Sequence, residues 1–519
     1  MGTPAKAPGR RLRHRIPLRL RHHWKPAALL CAGLALLLAF FGDARISPYV
    51  TSASAAEGSK VTENIPGTAE LYDATVAHSI RLEYDEDDFT AMMAEFRKDG
   101  SKEYIEADAT IDGTLVSRVG IRLKGNSTLQ SLRRSGSDSG FGRQGGEFGG
   151  GFGGEFGGGG GMTAVPLSAD KPEELPWLIK VDQYIAGRAY QGHQQISVRP
   201  GSNASIPLNE AVSLASVKTS GQAAERSALS SFTVNNRPAV ARLIVENPSR
   251  DFAETAVGTD GVLYKALSTG RFSYQGDDPT AYKDDFKQLT KKGSQDLQPV
   301  IDLMKWVDTS SDKEFAEGLG KRVDVESFAR YVATQNLLLN SDDMSGPGKN
   351  YYLWYDLGSR KFTVLGWDYN LTFNGSSDAG PDDTIGLGGG RPPGGTGGFP
   401  QGLPEGLPEG LPEGFPEGGG PEGGGPPGGG MMSGHTLKER FLELSAFDDV
   451  YHDAYRELYQ QFYGSGSALK ALDTAVDQAV AAGAERSGIA TAAEKLRSTI
   501  TARTKSLAAD PVVRGTAGG

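Results

Sequence analysis

Proline at every fourth position decides what one stretch of this chain cannot become. From Leu403 to Gly418 the sequence repeats Leu-Pro-Glu-Gly, with Phe415 in the leucine place of the last unit. Each proline removes a backbone donor and breaks a helix, and glycine weakens a strand, so the repeat reads as extended, acidic and flexible over 386–434. A second tract, 135–162, is almost all glycine with scattered Phe and Glu. It cannot bury enough apolar surface to fold. These tracts take up much of the 71 Gly and 28 Pro, and leave the packed chain between 69 and 510. There the apolar patterning mixes strand and helix periods, the mark of an α+β fold.

Ahead of that region the chain is built differently. Residues 1–26 hold eight Lys or Arg and no acid, and Ala27 to Gly42 follows as apolar or small residues, bounded by Asp43 and Arg45. The run is short for a spanning helix of about 20 residues and slightly long for a signal-peptide core. Flanking charges extend such a span by snorkelling. Ala53-Ser54-Ala55 lies far downstream for a cleavage site, so the reading is an uncleaved signal anchor over 27–45, with a secreted, cleaved form as the alternative. Either way the basic tail stays cytoplasmic and the large domain is extracytoplasmic. A polar linker covers 46–68, and 511–519 reads as a flexible tail. Net charge is −10 with no basic patch beyond the N-terminus, which argues against nucleic acid as a partner. The single cysteine, Cys31, supports neither a disulfide framework nor a cysteine metal site.

Within the packed region, expected strands are 78–84, 104–124 as a hairpin turning at Asp112-Gly113, 176–181, 230–246 turning at Asn235-Asn236, and 262–265. Expected helices are 85–98, 208–220, 282–292, 296–306, 312–319, 323–339, 436–463 and 468–507. The chemistry gathers at 335–375. A helix ending in Leu337-Leu338-Leu339 delivers Asn340, Asp342 and Asp343. A Gly-Pro-Gly loop leads to a strand opening at Asn350, a turn at 356–358, and a second strand ending in Trp367-Asp368-Tyr369-Asn370. A hairpin therefore carries one carboxylate before it and one after it, and Asp, Asn and Asp converging on one spot suit a hard divalent cation. Protein kinases use this order: an Asp that accepts the hydroxyl proton, an Asn and a second Asp that hold metal under the phosphates.

The N-x-D, N-Y-Y-L and W-D-Y wording of this stretch resembles the spore-coat protein H (CotH) family of atypical protein kinases. The resemblance runs in order through the packed region and implies a two-lobed kinase-like fold, with a β-rich small lobe over 69–250 and a helical large lobe over 251–510. It implies ATP and Mg²⁺ or Mn²⁺ as cofactors, and a protein substrate bearing Ser or Thr, of envelope or spore-coat type. By position Asp342 is the expected base, Asp368 the chief metal ligand, and Asn350 and Asn370 further ligands. Asp343 takes the base role if the register differs by one. Asn370 stands where the family places a second Asp. Arg122, Asn126 and Ser127, in Arg-Leu-Lys-Gly-Asn-Ser-Thr, are the expected phosphate cradle. Lys180 is the expected phosphate lysine, Glu210 its orienting glutamate, and Glu246 lies at the expected nucleotide edge. A pseudokinase, or a structural envelope protein with the same fold, is the competing expectation.

Overall fold

The computed structural model describes residues 61–125, 127–129, 131–132, 167–248, 252, 257–385 and 434–516. The anchor at 27–45, the tract at 135–162, the repeat region up to residue 433, Asn126 and the side chain of Ser127 lie outside the described residues.

The first half of the fold is a closed seven-stranded barrel. Its strands in chain order are β2 (His78–Tyr84), β3 (Ile105–Ile111), β4 (Thr114–Leu123), β5 (Trp177–Lys180), β7 (Gln195–Val198), β8 (Ser227–Val234) and β9 (Val240–Glu246). Around the barrel they run β2-β3-β4-β5-β7-β9-β8, and a parallel β2–β8 pair closes the ring. Strict alternation builds it: β2 buries His78, Ile80 and Leu82 and exposes the residues between them. The β3–β4 turn places Asp112 (φ 48°) and Gly113 (φ 82°) in the left-handed region, the pair a tight two-residue hairpin requires. Two short strands outside the barrel, β1 (Glu63–Ile65) and β6 (Arg188–Tyr190), pair in parallel, so a paired strand lies inside the stretch expected to be linker. Helix α1 (Glu86–Asp99) starts at the Asp85 cap, carries Glu86, Asp87 and Asp88 in its first turn, and stops at Gly100 in the left-handed region. It buries Phe89, Met92, Met93 and Phe96, one face at helical spacing.

Helix α2 (Leu208–Thr219) leaves the barrel and packs against helices from the far end of the chain. Its Val212, Leu214 and Val217 belong to the second hydrophobic core, not to the barrel core around Ile121, Trp177, Ile179 and Phe232. That second core gathers one sheet and the remaining helices. The sheet runs β11 (Phe286–Gln288), β10 (Gly261–Ala266), β12 (Tyr351–Asp356), β13 (Phe362–Gly366). The helices are α3 (Gln298–Thr309), α4 (Asp312–Gly318), α5 (Val325–Leu337), α6 (Thr436–Glu443), α7 (Asp448–Tyr459), α8 (Ser467–Ala481) and α9 (Arg486–Ala508).

Four expectations change here, two of them by division: the helices expected over 436–463 and 468–507 are each a pair, parted near Leu444 and Gly483. Residues 282–292 are not a helix: after a single turn at Pro279–Tyr282, Phe286–Gln288 pairs antiparallel with β10. Phe286 fills the core from that strand, so a free sheet edge and one aromatic anchor outweigh local helix propensity. The tail expected from 511 instead packs, with Val512 and Val513 buried and the Val512 carbonyl accepting from Arg456 at 3.1 Å.

Candidate active site

The last turn of α5 sets the first acid in place. Leu339 turns left-handed (φ 50°), ending the helix, and Asn340 folds back, its Nδ2 donating to Gln335 Oε1 at 2.8 Å. The Asn340 Oδ1 accepts the Asp342 backbone N–H at 3.1 Å, fixing the start of the loop. The Gly-Pro-Gly segment then wraps the Asp342 carboxylate. One oxygen accepts the Gly348 N–H, and the other accepts Asn350 Nδ2 at 2.9 Å. A Cβ at 346 would collide with the Asp342 backbone, and one at 348 with its carboxylate, so glycine is required at both. Burial pushes the Asp342 carboxyl up to about 6; the Gly348 N–H and Asn350 resist that rise, while the Asp368 carboxylate adds to it. Asp343 beside it is committed elsewhere, ion-paired to Lys438 of α6 and accepting from the Ser345 N–H at 2.8 Å.

The second acid follows β13. Asp368 sits in the left-handed region (φ 57°, ψ 66°) before a short turn at Tyr369–Leu371. Its N–H donates to Glu225 Oε2 at 3.2 Å, and its carboxylate lies 3.1 Å from Arg199, off-line for a hydrogen bond. Arg199 is also ion-paired to Glu210, whose side chain is fully buried. Burial opposes the Arg199 charge, but Glu210, Asp368 and Glu225 outweigh it and hold its pKa above the ordinary value. The Glu210 and Glu225 carboxyls are both raised, first by burial, with Arg199 pulling the other way. The turn is tied to α2 by Asn209 Nδ2, which donates to the Asn370 carbonyl at 2.8 Å, and by Ser213 Oγ bonded to Thr372 Oγ1 at 2.8 Å.

The expected phosphate residues distribute unevenly. Lys180 does not meet Glu210: it ends β5 with Nζ 3.6 Å from Asp182 and donating to Gln183 at 3.1 Å. The cation at Glu210 is Arg199, directly after β7, which is the last strand before α2. The resemblance placed the lysine on β5 by its order in the chain, whereas four-residue β7 gets its place beside β5 and β9 only from barrel closure. Arg122 lies on β4 with its guanidinium over the Tyr104 ring, 5.2 Å from the centroid. Glu246 is buried and clasped by Arg226, at 2.8 and 3.1 Å, and neighbours His193, an arrangement complete without a ligand.

Three residues have no part in the sequence reading yet share the site: Lys124, Glu225 and Lys265. Lys124 reaches across the barrel mouth and donates to Ser197 Oγ and Asn247 Oδ1, each at 2.8 Å. Its pKa is lowered by burial first and by Arg199 next. Lys265 on β10 lies 3.8 Å over the Trp367 ring, and burial brings its pKa down to about 8 despite Asp368. The only advance signal was position: Lys124 lies within the Arg-Leu-Lys-Gly-Asn segment, two places after Arg122.

These donors suit the cofactors the resemblance implies. Lys124 and Lys265 are buried lysines whose charge lacks full compensation, and polyphosphate would supply it. Among the described residues no group of three acids or histidines is placed to hold a metal alone. Mg²⁺ commonly takes one or two carboxylates, with phosphates and water completing its shell. Asp368 offers one such carboxylate, and the buried Asn370 Oδ1 has no hydrogen-bond partner.

No curated protein matches the chain. Residues 177–466 match the family described as CotH kinase protein, which is more than half of the 519 residues and includes Arg199, Glu210, Asp342, Asn350 and Asp368. The chain belongs to the CotH kinase protein family.

Proposed function

We propose that the chain is an atypical protein kinase that moves the γ-phosphoryl group of ATP to a Ser or Thr hydroxyl. The observation that carries this reading is the clasp on Asp342: a buried carboxylate held by an N–H and an amide, uncommitted to a cation, with its pKa at about 6. A proton acceptor for a hydroxyl needs that poise near working pH. The hydroxyl oxygen forms the new bond to the γ-phosphorus as the bond to the β-phosphate oxygen breaks. The proton passes to Asp342, and ADP leaves. Asp368, with Asn370 and Asn350, would hold the divalent cation, whose chemistry is neutralisation of phosphate charge. Lys124 and Lys265 bind the polyphosphate, and Arg199 with Glu210 holds Asp368 in position. The barrel serves as the small lobe and the helical core as the large one. Anchored by 27–45, the domain works outside the membrane on an envelope or spore-coat protein.

One observation favours a second reading, a catalytically weak pseudokinase or structural envelope protein. Arg199 already neutralises Asp368, and Asn370 offers no charge, so the cation site is electrostatically poor. Calorimetry of the full chain with ATP, with and without Mg²⁺ or Mn²⁺, separates the two. The kinase reading expects metal-dependent binding by wild type and weaker binding by Asp368→Asn. Equal binding by both removes Asp368 from the site, and no binding by wild type selects the second reading.

A further inference from the structure

Behind the Asp342 loop lies a cavity of about 140 Å³, walled by the aromatic rings of Phe272, Phe286 and Tyr351 and by His435, with Arg271 and Lys349 among its lining residues. Lys349 connects it to the chemistry. It is the residue between Gly348 and Asn350, the two that clasp Asp342, and its left-handed backbone (φ 51°) makes the corner. Lys349 therefore joins the cavity lining to the clasp, one residue from Gly348 on one side and from Asn350 on the other.

The walls define the occupant. Phe272 lies against His435 with centroids 4.3 Å apart and the rings tilted by 31°, and Tyr351 meets His435 edge-on at 5.2 Å. An engineered apolar cavity of about 150 Å³ takes benzene, so this volume admits one aromatic ring. His435 is 2% exposed; its Nε2 lies 3.0 Å from the Tyr351 hydroxyl, and its buried Nδ1 has no hydrogen-bond partner. A neutral imidazole leaves that nitrogen either a donor or an acceptor, and a phenol hydroxyl that reached it would answer both. Arg271 supplies a cation at the lining for a ring face. Asp285 is already occupied, accepting from the Arg271 N–H at 2.8 Å and from Gln275 at 2.6 Å, so it does not set the preference.

We infer that this cavity is a specificity pocket, taking a tyrosine side chain of the acceptor protein close to the Ser or Thr that faces Asp342. The inference rests on the kinase reading for its substrate but not for its binding chemistry. The test uses the full chain and fluorescent peptides with one central serine, carrying tyrosine, phenylalanine, leucine or alanine in turn at each flanking position. Affinity is read by polarisation, which needs no turnover. One flanking position should favour tyrosine over alanine about tenfold, 1.4 kcal/mol, with phenylalanine between them. Free p-cresol should compete for that peptide and not for the alanine peptide. Ser273→Phe and Thr436→Phe, which crowd the cavity from two sides, should each remove the preference while ATP binding stays unchanged. His435→Phe should bring tyrosine down to the level of phenylalanine. No aromatic preference at any position, or no competition by p-cresol, overturns the pocket while leaving the kinase reading intact. Preference for tyrosine in a chain that binds no ATP with metal keeps the pocket and removes the kinase reading.

Discussion

Asp342 and Asp368 flank the same hairpin, yet opposite means hold them. Neutral donors clasp Asp342, an N–H and an amide, so its charge is left uncompensated and its pKa rises to about 6. Asp368 leans on a cation, Arg199, that is itself locked to buried Glu210. On the proposed kinase reading, the difference separates two jobs that one carboxylate cannot do together. A group that accepts a proton needs a site where its charge is costly. A group that holds a cation needs its charge assured.

The largest effect should come from breaking the first of these. Asp342→Asn should lower phosphoryl transfer by about 10²–10⁴-fold while nucleotide still binds. Because burial disfavours the Asp342 charge, the same variant should unfold at equal or higher denaturant concentration. Loss of stability instead would show the acid to be structural. Arg199→Met should do the reverse. It leaves buried Glu210, and half-buried Asp368 beside it, without their cation, at a cost of about 3–5 kcal/mol in urea unfolding. A loss below about 1 kcal/mol, the range of an exposed pair, would show that Arg199 is not what holds Asp368.

The clasp itself is tested by pH. A proton acceptor works only when ionised, so kcat/KM should fall tenfold per unit as pH drops below about 6. The stability contribution has the opposite sign. The folded carboxyl binds its proton more tightly than the unfolded one, so this group favours the fold more as pH falls from 6 toward 3.8. Asn350→Ala removes a donor to the charged form, worth about 1.5–3 kcal/mol, and should move the acid limb up by roughly 1–2 pH units. An unmoved limb would take Asn350 out of the clasp. The smallest effect belongs to the tie between α2 and the second acid. Asn209→Ala should cost about 0.5–1.5 kcal/mol, and scanning calorimetry that shows no change would make that tie incidental.

The hairpin was legible because its signals are local. The strand expected to open at Asn350 and the one expected to lead into Trp367 are observed at Tyr351–Asp356 and Phe362–Gly366. Helices α1, α2 and α5 were legible from their apolar spacing to within a residue or two. Arg199 was not. It stands in Val-Arg-Pro-Gly, a segment that reads as a plain turn, and its meaning comes from Glu210 and Asp368, which the fold brings to it from 11 and 169 residues away. Glu225 sits in Gly-Gln-Ala-Ala-Glu-Arg, where nothing local separates it from a solvent-facing acid. Burial gives these residues their chemistry, and burial of a loop residue is a property of the whole fold.

Arg503 of α9 is fully buried beneath the start of the Asp342 loop. It donates to the Leu337 carbonyl at 2.7 Å, and to the carbonyls of Asn336 and Ala379 at 2.8 Å each. The carbonyls that α5 leaves open at its end are therefore closed by a residue 166 positions later, beyond the residues matched to the family. At about 5–20 residues per second, a ribosome needs on the order of ten seconds or more to get from one to the other. For most of that interval the nascent chain holds both acids and lacks the piece that seats the first. A chain cut short between Asp368 and Arg503, by a stalled ribosome or a protease, would carry both acids and leave those carbonyls open.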